Sequence, residues 1–190
     1  MSAPSLPVTR RTLPCGLELV VHADPAAPPV CVSVWYRVGS SDEVPERTGL
    51  AHLFEHLFKN SEHMPAHHYD VLRRAGSNEA NASTSADRTA YHEVVPGDAL
   101  PLALWLEANR MGKLLPAMTQ QKLDTQRDVV MNERRWSMDN QPYGTWIEKL
   151  PALAFPDEHP FHHSLMGSME DLTAASLQDV GQFFATYYTP

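Results

Sequence analysis

From Leu50 to Phe58 the chain reads Leu-Ala-His-Leu-Phe-Glu-His-Leu-Phe, with apolar residues at 50, 53, 54, 57 and 58. That spacing is the period of an amphipathic helix, and it predicts a helix running to Asn60 with Thr48 as its N-cap. At ~100° per residue the apolar side chains centre at about 10°, while His52, Glu55 and His56 fall at about 200°, 140° and 240°. Such a helix must lay its Leu and Phe residues on a core and carry a compact polar face on its other side. A face exposed only to solvent more often holds Lys, Arg and Glu.

Around it the predicted elements change character along the chain. Leu17–His22 and Val30–Val38 read as strands, separated by a proline-rich loop over Asp24–Pro29. A short helix over His67–Ala75 stops at Gly76, and two strands follow at Asn81–Thr84 and Thr89–Val95. Helices are then expected over Asp98–Leu115, Gln120–Met138, Tyr143–Phe155 and Ser176–Tyr188, with Pro101 tolerable only in a first turn. Early strands and later helices predict an α+β fold, a mostly antiparallel mixed sheet packed against several helices, in one domain over 1–190.

Composition narrows the possibilities. The 190 residues are 43% hydrophobic and 20% charged, enough for a core and a soluble surface. A net charge of −8 without a basic run argues against a nucleic-acid partner. No segment approaches the ~20 apolar residues of a membrane-spanning helix, and the first residues lack the apolar run of a signal peptide. A cytoplasmic location is the default expectation, periplasmic or secreted if a leader had been removed. Cys15 and Cys31 support neither a disulfide framework nor a thiolate metal site, and both are expected to be buried or free. Ten histidines are the unusual feature.

His52 and His56 stand one helical turn apart on one face, a spacing that lets two neutral imidazoles hold one zinc ion. Glu55 lies beside them, placed to polarise a water at the metal rather than bind it. A catalytic zinc site needs a third protein ligand from another element. In the predicted helix over 120–138, Glu133 shares a stripe with Leu123, Val129, Val130 and Trp136, opposite Asp124, Asp128, Asn132 and Arg135. A carboxylate on an apolar stripe either coordinates a metal or pairs with an arginine of a neighbouring element. The groups His63, His67, His68 and His159, His162, His163 lack a shared helical face and read as surface-loop histidines.

The pattern resembles the pitrilysin/insulinase family of zinc metallopeptidases, marked by an inverted H-x-x-E-H motif and a glutamate some seventy-five residues later. Here Glu133 follows His56 by 77 residues (133 − 56 = 77). Leu13-Pro14-Cys15-Gly16-Leu17, Asn81–Thr84 with Asp87, Thr89 and Tyr91, Gln126–Glu133, His159-Pro160-Phe161 and Met166-Gly167 extend the likeness to most of the chain. Cys15 departs from the family's usual asparagine, and Gln126 stands where some relatives carry a further glutamate, which puts any charge-tuning role there in doubt.

The resemblance implies zinc held by His52, His56 and Glu133, with Glu55 as the base in peptide hydrolysis. It implies an edge strand, Asn81, Ala82, Ser83 and Thr84, that pairs with the backbone of extended or unfolded peptides. It also implies a homologous C-terminal lobe or partner subunit, this chain being the opening portion of the zinc-bearing half and a poor peptidase alone. Two other classes stay open at this point: a catalytically silent assembly lobe, and a zinc-binding structural module.

Overall fold

The computed structural model describes residues 7–58 and 67–190. His63 and the predicted end of the first helix, Lys59 and Asn60, lie outside these residues. The chain folds as an α+β unit. Strands β1 (Val8–Thr12) and β2 (Glu18–His22) form an antiparallel hairpin through a turn in which Gly16 N–H donates to Leu13. Strand β1 had no expected counterpart, because its exposed Thr and Arg residues carry no alternating apolar signal.

Strands β3 (Pro29–Tyr36), β4 (Glu79–Thr84) and β5 (Thr89–Pro96) form a second antiparallel sheet in the order β3-β5-β4. Strand β4 is therefore an edge. Helices α1 (Leu50–Leu57), α2 (His68–Arg74), α3 (Leu100–Ala117), α4 (Gln120–Arg134), α5 (Trp146–Ala154), α6 (Met169–Ala174) and α7 (Leu177–Tyr187) complete the fold. Pro101 sits in the first turn of α3, where a missing N–H costs nothing. Among the described α-helices, α6 alone has no counterpart in the sequence pattern; it is six residues long, too short to display a period.

Helix α1 is central. Leu53, Phe54, Leu57 and Phe58 are fully buried. The Tyr188 ring lies 4.7 Å from Phe54, and 4.9 Å from both Phe58 and Tyr36. Tyr91 of β5 donates its hydroxyl to the Phe54 carbonyl at 3.2 Å. Large aromatic side chains thus clamp α1 between the sheet and α7, a packing that dominates core energetics.

The polar face of α1 is enclosed as well. His52 and His56 are 6% and 7% exposed, because α4 and β4 cover that side. Helix α4 is tied down by Arg127, which donates to the Leu172 and Ala175 carbonyls around α6.

The start of α1 differs from expectation. Gly49, not Thr48, is the N-cap, at φ 87°. Thr48 turns away, its hydroxyl donating to Asp171 at 2.6 Å and accepting from the Ser168 amide. The cap comes from Glu43: Oε2 accepts from Gly49 N–H at 2.8 Å and Oε1 from Ala51 N–H at 2.7 Å. Gly49 is required twice over. Its φ is left-handed, and a Cβ there would stand 2.5 Å from the Met166 carbonyl oxygen. Gly167, φ 71°, meets the same crossing from the other side.

Candidate metal centre

His52 and His56 leave α1 one turn apart, and Glu133 approaches them from the last turn of α4. Glu133 Oε1 lies 3.7 Å from His52 Nε2, and Oε2 lies 3.2 Å from His56 Nε2. One ligand atom from each of the three residues falls within 4.8 Å of the others. His56 Nε2 is buried without a hydrogen bond. Two imidazoles and a carboxylate converging on one point form a donor set that suits zinc, with a coordination position to spare.

Glu133 does not share a buried apolar stripe with Val129 and Trp136. Val129 is 41% exposed and Trp136 is 73% exposed. The face that packs inward carries Leu123, Arg127, Val130 and Arg134, with Glu133 beside it. The phase then slips, because α4 runs into a π-helical turn over Arg135–Asp139, two residues beyond Glu133. Such turns are frequent at functional sites. Neighbouring Arg134 faces another way, into an ion pair with Glu148 of α5.

Glu55 is half-buried on the same helix. Its Oε2 accepts the Thr84 hydroxyl at 2.7 Å. Thr84 ends β4, where Ala80, Ala82 and Thr84 face inward and Asn81 and Ser83 face out. Asn81 Oδ1 accepts the Ala82 N–H at 2.9 Å, so that amide points to the open edge and not to β5.

Glu43 escaped sequence reading. It lies in a polar turn, and nothing local marks it as the cap of α1. Its side chain is wholly buried, and desolvation pushes its pKa up to about 8 despite the two amides that favour the charge.

His68 is no surface-loop histidine: it is 3% exposed and gathers with Glu93 and Glu107. Among the described residues these three are the second group whose atoms converge within 4.8 Å. The Arg110 guanidinium is bonded to Glu107 and stacks 4.1 Å from the Tyr91 ring centre. Arg110 thus supplies the positive charge that a metal would bring, and we read the group as a buried ionic network. Burial lowers His68 to about 3; burial raises Glu93 to about 7 against the pull of Arg110.

These shifts fix a pH dependence. Folded Glu43, and Glu93 up to about 7, hold protons that the unfolded chain releases above ~4.5. Their stabilisation is full below that value and is lost as pH rises towards 8. His68 works oppositely, its contribution being lost as pH falls from ~6.5 to about 3. Between pH 6.5 and 8 Glu43 and Glu93 both favour the lower pH, so the thermal midpoint of the metal-free chain should fall with rising pH. A full proton's difference is about 1.4 kcal/mol per pH unit. Glu43→Gln should flatten the slope; an equally steep variant would remove Glu43 as its source.

His159, His162 and His163 do not converge. His159 is exposed, and His162 and His163 are half-buried, bonding to the Phe155 and Ser164 carbonyls. Cys15 and Cys31 are free, and both are exposed rather than buried.

The family model for the insulinase peptidases, peptidase family M16, matches residues 18–167. The chain belongs to that family. It is 34% identical over 181 residues to the zinc protease PqqE of Helicobacter pylori, covering 94% of this chain and 40% of that protein. A crystal structure of a protease from Helicobacter pylori superposes with a TM-score of 0.89 at 34% identity, over 97% of this chain and 44% of the other. Pitrilysin gives 0.81 at 25% identity, over 96% of this chain and 20% of its own length. The chain thus spans about two fifths of the length of the curated relative.

Proposed function

We propose that the chain is the N-terminal, zinc-bearing portion of a metalloendopeptidase that cleaves extended or unfolded peptides. The observation that carries this reading is the convergence of His52, His56 and Glu133 beside Glu55. Three protein ligands favour a catalytic over a closed structural site, and retention of all four residues speaks against a silent lobe. Zinc bound by these three residues supplies polarisation of the scissile carbonyl and brings the pKa of a coordinated water towards ~7. Glu55 takes the proton from the attacking water and delivers it to the leaving amine as the C–N bond breaks.

Strand β4 supports the substrate class. An edge strand offers main-chain donors and acceptors to an incoming extended chain, a mode that reads backbone before side chains. Asn81 covers the outward Ala82 N–H; a substrate strand would replace it there.

A further lobe or subunit is part of the proposal. Trp146, Ile147, Leu150 and Leu153 of α5 are exposed, as are Trp136 and Tyr143, which is more apolar surface than a solvated helix needs. Among the described residues no helix is long and apolar enough to cross a membrane.

The test is metal removal. The full-length protein carrying this chain should contain zinc, lose cleavage of a quenched peptide on chelation, and regain it when zinc returns. Cleavage that survives complete removal of the metal would end the proposal. The 190 residues alone should bind zinc and cleave poorly.

A further inference from the structure

We infer that Thr84 is a positioning residue for Glu55, and that it acts on turnover rather than on peptide binding. The inference rests on the metallopeptidase reading and assigns Thr84 a role different from the substrate contact implied by the family resemblance. Thr84 points to the inner face of β4, where its hydroxyl donates to Glu55 Oε2 at 2.7 Å. The outward residues of the strand, Asn81 and Ser83, are the ones turned to solvent.

The physical need is plain. A glutamate has three side-chain torsions, the last of them broad, and an unheld carboxylate samples many orientations. A base must stand within hydrogen-bond reach of the proton it takes, and an ångström of misplacement costs rate. With Oε2 occupied by Thr84, Oε1 is left for water.

Thr84 suits the task because its own atoms are fixed. Its β-branched side chain has a stiff first torsion. Its backbone pairs with Thr89 of β5, which is fully buried and donates its hydroxyl to the Val38 carbonyl at 2.9 Å. The turn beyond closes with Ser85 N–H donating to Arg88 at 2.8 Å. The base on α1 is thereby tied to the strand along which a peptide would lie.

The experiment compares Thr84→Val and Thr84→Ser in the full-length protein and follows the Glu55 carboxyl carbon by 13C NMR in the metal-free 190-residue chain. Valine should lower kcat by at least about tenfold while KM stays within about twofold. Zinc content should be unchanged, and serine should restore kcat. The Glu55 resonance should move in Thr84→Val and return in Thr84→Ser. If valine unfolds the strand, Thr84→Ala reads the same missing hydroxyl.

A raised KM at constant kcat would make Thr84 a substrate contact and overturn the inference. Loss of zinc, or an unmoved Glu55 resonance, would overturn it too. If Glu55→Gln keeps full cleavage, the metallopeptidase reading fails and takes this inference with it. If Glu55→Gln is dead and Thr84→Val turns over normally, the inference alone fails.

Discussion

Glu55→Gln should reduce peptide cleavage by about 10²- to 10⁴-fold, the usual contribution of a positioned general base. Zinc content should not change, because Glu55 is not among the three residues whose donor atoms converge. The substitution is nearly isosteric, and an amide oxygen can still accept the Thr84 hydroxyl, so folding should be kept. It removes only the ability to take a proton. Side-by-side metal analysis and a quenched-peptide assay decide the matter. A variant that loses zinc would place Glu55 among the ligands, and one that cleaves at the wild-type rate would remove it from the chemistry.

The second large effect concerns Glu43. Glu43→Ala deletes both acceptors of the first amides of α1, in a wholly buried setting. Loss of a cap together with buried, unsatisfied N–H groups should cost about 2–3 kcal/mol, or roughly 4–12 °C in midpoint for a chain of this size. Zinc affinity should fall with it, since His52 is the residue after Ala51. Unfolding by heat and denaturant, with and without zinc, measures both. A stability within ~0.5 kcal/mol of wild type would mean that other groups hold the start of α1.

These two residues mark how far the sequence could be read. Glu55 was visible because it shares a helical turn with two histidines, and helical periodicity is a local property. Glu43 was invisible because its partners become neighbours only when the turn folds over the start of α1. Glu133 stands out in the sequence as a carboxylate beside apolar residues, yet Val129 and Trp136 of that stripe are exposed. Wheel geometry assumes an unbroken α-helix and apolar contacts, whereas α4 turns arginines inward and passes into a π turn. Thr48 was expected to cap α1 because capping is usually local; its hydroxyl went instead to Asp171, 123 positions away. The sequence places His68 in a surface loop, because its burial among Glu93, Glu107 and Arg110 depends on β5 and α3.

By itself the sequence determined that α1 forms, which of its faces is apolar, that His52, Glu55 and His56 leave its other side together, and that strands precede helices. Those properties follow from torsional preferences and from spacings of a few residues. The tertiary structure alone decided that Glu133 reaches the histidines, that Thr84 grips Glu55, that Glu43 caps the helix, and that Gly49 and Gly167 cross without side chains between them. Each depends on segments far apart in the chain being brought to within a few ångströms, and that distance is set by the packing of the whole core.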